Sequence, residues 1–264
     1  MTGATGTVTA FYRLAIGSSV LFIPFAIHRQ RSPKAMPAKG IWLAIAAGLC
    51  LAIDMAFWTT GIMLSNAAMP TLTGNLAPLW VGIGSYFIFR ERQSKKFWFG
   101  LILALSGVFF LILRDFYFPS GIFKGLILGL FAGIFYAGFM LFTQSGRKFL
   151  DTLSYLFIST LATAIFLGVF VTFQGLPFVG YSTKVWVLFI IMGVVIQAGA
   201  WFLINFSQGH LPASLVSPTL LAQPVLAAVI AYFLLGEILG IWHIVGGSVV
   251  VFGIYMVHFS RMKK

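Results

Sequence analysis

Acidic residues are nearly absent: five Asp and Glu serve a chain of 264 residues. Charged residues of both signs make up 8% of the chain, where a soluble domain carries roughly 25%. So few charges cannot cover a water-soluble globule, which excludes that class. The single cysteine, Cys50, excludes a disulfide framework. The histidines at 28, 210, 243 and 258 fall at no metal-ligand spacing, and no cofactor or metal is expected. A P-loop, an HExxH pair and a nucleophile elbow are also missing, which argues against a nucleotide-driven pump and against an enzyme. The opening MTGATGTVTA has neither a basic stretch nor an apolar core and does not read as a cleavable signal peptide.

What is present is apolar. Hydrophobic residues reach 60%, and the mean hydropathy is +1.00. Uninterrupted apolar stretches run over about 9–28, 41–62, 66–89, 97–113, 121–145, 152–173, 185–206, 212–235 and 240–260. Each has the length a membrane-spanning helix needs. Barrel strands would alternate instead. The pattern predicts an all-α polytopic membrane protein of about nine transmembrane helices.

The net charge of +12 could suggest nucleic acid, but its distribution points elsewhere. Arg29, Arg31, Lys34 and Lys39 follow the first stretch, Arg90, Arg92, Lys95 and Lys96 the third, and Arg147 and Lys148 the fifth. Arg261, Lys263 and Lys264 follow the last, so thirteen of seventeen basic residues lie on one side. Arg114, Lys124 and Lys184 go to the other side, and Arg13 lies within a span. Basic loops mark the cytoplasmic side. The C-terminus is therefore expected in the cytoplasm of a cell whose inner membrane holds the protein, with no nucleic-acid partner.

An internal repeat is the most informative feature. Aligning Pro78 with Pro224 matches 66–112 to 212–258 at Ala67/Ala213, Thr73/Thr219, Pro78/Pro224, Tyr86/Tyr232, Phe87/Phe233, Glu91/Glu237, Gly100/Gly246 and Gly107/Gly253. The turn at Glu91 is crowded with basic residues and the turn at Glu237 has none, so the copies are oppositely oriented. Inverted repeats are a signature of secondary transporters.

Three stretches carry a resemblance to a known family: FYRLAIGSSVLF (11–22), NLAPLWVGIGSYFIFRER (75–92) and LLAQPVLAAVIAYFLLGE (220–237). With a mid-helix proline and a terminal glutamate in both copies, the chain resembles the EamA-type transporters of the drug/metabolite transporter superfamily. The resemblance implies two inverted EamA-like repeats, over 1–115 and 121–260. The family pattern has ten helices, and this chain resembles helices two to ten of it. It further implies a secondary transporter, expected to export a small metabolite such as an amino acid by alternating access. A non-transporting membrane subunit or channel component is the alternative. Nucleotide sugars fit less well, since no second basic residue lies deep in a span to meet a diphosphate. The expected partners are a small-molecule substrate, the lipid bilayer and, as an open possibility, a second copy in a homodimer.

Charges at membrane depth are costly and so mark candidate function. Asp54 is the only acid deep in a span. It is a candidate for binding a cationic group or exchanging a proton, with a structural pairing to Arg13 as the other reading. Arg13 can snorkel to the interface or clamp a carboxylate; it is expected well above Asp54 in depth, which weakens their pairing. Trp58 shares the face of Asp54 one turn on, and Trp201 with Asn205 repeats the spacing in the second copy. Asn75 and Gln223 lie within a turn of Pro78 and Pro224, where backbone groups are freed. Tyr136 completes the substrate-binding candidates. Amides and tryptophans also serve as interhelical glue and interface anchors. Gly125, Gly129, Gly133 and Ala137 read as a helix-packing ridge, and Glu91 and Glu237 as structural. The expected topology is checked by labelling introduced cysteines after Cys50 is replaced. A cysteine at Lys95 should resist an impermeant external reagent, and strong labelling there would reverse the orientation.

Overall fold

The computed structural model describes residues 4–31, 35–113, 121–236 and 240–262, and all regular elements among them are helical. Hydrocarbon offers no partner for backbone groups, so each crossing must close its hydrogen bonds internally. Among the described residues nine stretches are long and apolar enough to cross a membrane. The chain is a multi-pass membrane protein. α1 (Gly6–Arg31), α2 (Ala38–Leu64), α5 (Lys95–Leu113), α6 (Ile122–Gly146), α7 (Thr152–Phe173) and α12 (Ile241–Met262) are each continuous.

The other three crossings change geometry midway. α3 (Ala68–Gly74) and α4 (Ala77–Phe89) meet at Asn75 and Leu76, just before Pro78. α10 (Ala213–Thr219) passes through a 3-10 turn, Leu220–Ala222, into α11 (Gln223–Leu235), which carries Pro224 in its first turn. Proline is tolerated where a helix restarts, because its missing N–H would have been free there. α8 (Thr183–Ile191) leads into nine π-helical residues, Met192–Ala200, before α9 (Trp201–Gln208). The apolar pattern carries no sign of that widening.

The elements recur in step. From Ala77 to Gln223 is 146 residues, as is from Phe89 to Leu235, so α4 and α11 correspond end to end. At the same offset α1, α2, α3 and α5 reach the first residues of α7, α8, α10 and α12 to within one. Even the helix ends agree. Ser85 accepts the capping N–H of Arg90 as Ala231 accepts that of Gly236, and both caps are left-handed, at φ 58° and 68°. Glycine adopts that conformation freely, whereas Arg90 bears a cost of about 1–2 kcal/mol.

Two compact units each draw on both copies: Met1–Thr60 with Gly138–Pro212, and Gly61–Ala137 with Ala213–Lys264. In the first, α1 and α7 run antiparallel, with Phe11 against Gly168 and Phe22 against Phe157. Applying the 146-residue offset turns one of these contacts into the other. Ala10, Leu14, Ala52, Ala164 and Leu167 form the buried core between these helices and α2. Thr163 Oγ1 adds a hydrogen bond to the Gly48 carbonyl, 3.1 Å away.

In the second unit α5 and α12 pair antiparallel through the repeated glycines. A Cβ on Gly100 would lie 2.8 Å from the Gly253 carbonyl, and one on Gly107 2.9 Å from the Gly246 carbonyl. These contacts also exchange under the offset, so equivalent helices pair about a two-fold perpendicular to their length. Helices that cross a membrane place such an axis in its plane, as inverted repeats require. Leu101, Ala104, Val108, Val250 and Val257 are buried around the seam. The ridge of α6 packs where expected: Gly125 meets Ser65 and Met69, and Gly129 meets Pro70 and Thr73. Thr73 Oγ1 donates to the Leu126 carbonyl at 2.8 Å. Glu91 holds structure, accepting from Ser214 Oγ at 3.0 Å; Glu237 lies outside the described residues.

The seam predicts its own sensitivity. Gly100→Val or Gly107→Val should cost about 1–3 kcal/mol through overpacking, read as a lower melting temperature in detergent. Gly74→Ala, whose Cβ would meet nothing nearer than 3.7 Å, should leave it unchanged.

Candidate functional site

Five of the eight candidate residues fall in the first unit: Arg13, Asp54, Trp58, Trp201 and Asn205. Asn75, Tyr136 and Gln223 belong to the second.

Asp54 sits midway along α2 and is 6% exposed. α1 and α2 run antiparallel beside it, as Thr7 Oγ1 and Thr59 Oγ1 lie 3.1 Å apart. Arg13 Nη2 reaches Met55 Sδ at 3.7 Å. Arg13 is therefore level with Asp54, and the expected separation in depth is corrected. The reason is register: α1 begins at Gly6, which sets Arg13 about two turns inside the helix. Half-buried, it points into the unit rather than to an interface. Its charge acts on Asp54. Cys50, one turn away on the same face, is within electrostatic reach of Asp54 and lies against Gly138 of α6. Trp58, one turn to the other side, is half-buried.

α9 supplies the remaining pair. Trp201 is buried edge-on to Phe139, with ring centroids 5.3 Å apart. Asn205 is fully buried; its Nδ2 donates to the Trp201 carbonyl at 3.0 Å, and its Oδ1 has no partner among the described residues. Two residues that the sequence reading passed over share this face. Gln197 and Gln208 are buried to 1% and 3% exposure, and each holds a polar atom without a partner among the described residues. The four-residue steps from 197 through 201 to 205 were the available signal.

Arg147, read from sequence as a loop charge, does more. Its Nε donates to the Asn205 carbonyl at 3.1 Å, its Nη2 to Thr152 Oγ1 at 2.6 Å, and its Nη1 to the Leu150 carbonyl. The guanidinium thus ties the end of α6 to α7 and α9. Burial lowers its pKa from the ordinary arginine value, opposed by the charges of Asp151 and Tyr155. Asp151 caps α7 by accepting from Ser154 N at 3.0 Å and Ser154 Oγ at 2.7 Å. Burial pushes that carboxyl up, but the Ser154 hydrogen bonds and the nearby His28 prevail and hold it below the usual value.

In the second unit Asn75 and Tyr136 are half-buried and Gln223 is exposed at the start of α11. Asn75 Nδ2 has no partner among the described residues. Asn75 and Gln223 are not equivalents: the offset of 146 carries Asn75 to Leu221. Among the described residues no group of three His, Cys, Asp or Glu could hold a metal ion.

Equivalent helices paired antiparallel, with crossings that break beside mid-membrane prolines, are the architecture of a membrane transporter. The chain belongs to the EamA-like transporter family, which matches residues 3–113 and 123–259. It is similar to the uncharacterized transporter YwfM of Bacillus subtilis, 23% identical over 99% of this chain and 91% of that protein. It is likewise similar to the uncharacterized transporter YdfC of the same organism, 23% identical over 99% and 90%. An uncharacterized transporter of Archaeoglobus fulgidus is 26% identical over 76% of this chain and 71% of its own length. One protein crystal structure superposes with a TM-score of 0.80 over 97% of this chain and 89% of that chain, at 16% identity, which establishes the shared fold.

The proximity of Arg13 and Asp54 predicts a measurable coupling. A double-mutant cycle of Arg13→Gln and Asp54→Asn, followed by melting temperature, should return an interaction of about 0.5–3 kcal/mol. Strict additivity would show that the charges do not sense each other.

Proposed function

We propose that this chain is a secondary transporter that exports a small metabolite with an amino and a carboxyl group, such as an amino acid, by alternating access of its inverted repeats. One observation supports this above others: the buried Asp54 and the half-buried Arg13 stand at the same level, and the arginine charge acts on the acid. Asp54 is suited to an ammonium group or a proton, and Arg13 to a carboxylate, whose two oxygens match the guanidinium fork. A zwitterion would bring an ammonium group to the one and a carboxylate to the other. Trp58 and Trp201 offer aromatic faces that favour a cationic group, and Asn205 offers hydrogen bonds. The thirteen basic residues support, by the positive-inside rule, a cytoplasmic C-terminus in the cell membrane. A scaffold or channel subunit would not need two equivalent inverted halves.

The test is transport by purified protein in proteoliposomes with radiolabelled amino acids. Asp54→Asn should abolish uptake and exchange while the protein stays folded in detergent, and Asp54→Glu should keep part of the activity. Asp54→Asn protein that transports as the wild type does would refute the assignment.

A further inference from the structure

We propose that a cavity at the basic end of the first unit seats the phosphate of an anionic membrane lipid. The cavity holds about 310 Å³, a size that small-ligand sites share. It is lined by His28 and Arg29 near the end of α1, and by Lys148, Phe149 and Asp151 in the turn between α6 and α7. α2 begins beside it: a Cβ on Gly40 would meet Phe149 and Leu150, and Lys39 Nζ stands 5.1 Å from the centre of the Phe149 ring. The cavity stands apart from Asp54, midway along α2, and owes nothing to the transport reading.

The charge balance selects an anion. The two segments that meet here, 28–40 and 146–152, carry six basic residues and one acid, Asp151. That acid is already engaged. Its Oδ1 accepts from Ser154 N at 3.0 Å and its Oδ2 from Ser154 Oγ at 2.7 Å, while His28 Nε2 lies 3.7 Å from Oδ2. Its charge is thus turned toward the start of α7, and a protonated His28 offsets it. Arg29 and Lys148 bring two cations to the one cavity. Each has contacts of its own, and a phosphate, with several acceptor oxygens, adds to them rather than replacing them. A guanidinium and an ammonium are the two groups that hold phosphate best. A cationic ligand would meet like charge there.

The surroundings favour a lipid over a free ion. One turn deeper along α1, on the face of Arg29, Phe25 stacks on Phe157 of α7 with ring centres 4.4 Å apart. Phe22, a turn further in, lies 5.9 Å from the same ring. Ile23 and Ile27 beside them are 64% and 43% exposed. On α2, one turn in from Lys39, Trp42 is 68% exposed, as the tryptophans of an interfacial belt are. From the cavity into the span the chemistry therefore passes from cationic to aromatic to aliphatic, the order of a headgroup above its acyl chains. Basic pockets between spans are known seats for anionic headgroups. The turn concerned also carries Arg147, which reaches the Asn205 carbonyl and Thr152. A lipid seated on Lys148 thus bears on the turn that anchors α9.

The experiment follows the melting temperature of the full chain in detergent as phosphatidylglycerol, phosphatidylcholine or inorganic phosphate is added, since a ligand of the folded state raises it with concentration. Phosphatidylglycerol should stabilise at concentrations where the other two do not. Arg29→Gln and Lys148→Gln should each weaken that affinity about fivefold, the contribution of one basic residue at an anionic surface. Asp151→Asn, which keeps a cap on α7, should strengthen it. Lys184→Gln, at the start of α8 beyond the far end of α7, should leave it unchanged. Should Arg29→Gln fail to fold, Lys148→Gln in the exposed turn decides the matter. An equal response to phosphatidylcholine, or Arg29 and Lys148 variants that match the wild type, overturns the proposal and leaves only a bulk lipid effect. Inorganic phosphate that stabilises as well as the lipid also overturns it, and gives the cavity to a free anion.

Discussion

Close approach of backbone to backbone at glycine is the constraint on which this structure depends. Between helices in lipid there is no gain from hiding apolar surface, because the acyl chains outside are as apolar as the side chains inside. What remains is dispersion, small for each atom pair and steep in distance. Gly100 with Gly253 and Gly107 with Gly246 bring two backbones together where a single methyl group would intrude. Gly129 does the same for α6 and α3, against the backbone of Pro70. These contacts fix which helices of the second unit are neighbours.

The spans were legible in the sequence because hydrocarbon demands a continuous apolar run from each of them. The repeat was legible for a related reason: Pro78 and Pro224 restart helices, and the glycine pairs form one seam, so both copies needed the same residues. Arg90 and Gly236 share a backbone conformation but not a residue type, and their likeness emerges only from the dihedral angles. The depth of Arg13 was misread because register between neighbouring helices depends on where each helix starts, and apolar residues at an interface do not mark it. The π-helical residues leave no trace in composition. Gln197 and Gln208 look like ordinary amides until each is seen to bury a polar atom without a partner among the described residues, and Arg147 looks like a loop charge until three acceptors converge on it.

Asp54 and Arg13 also illustrate how opposite charges can share a membrane interior. Each lowers the cost of placing the other at depth, since the local net charge is near zero. Met55, whose sulfur takes a guanidinium N–H, seats Arg13 against α2 at the level of Asp54.

The offset between the copies has an energetic consequence. If the two halves were identical, the two conformations reached by exchanging their roles would be degenerate, and neither side of the membrane would be preferred at rest. The copies differ at the two proposed substrate residues: the counterpart of Asp54 is Ala200, at the end of the π-helical residues, and that of Arg13 is Ser159. In a protein working by the proposed exchange, such differences would lift the degeneracy. A difference of about 1.4 kcal/mol already sets a tenfold bias between two states. Under the proposed exchange, the resting preference would be written in the residues that break the symmetry, while the residues that keep it would make the exchange mechanically feasible.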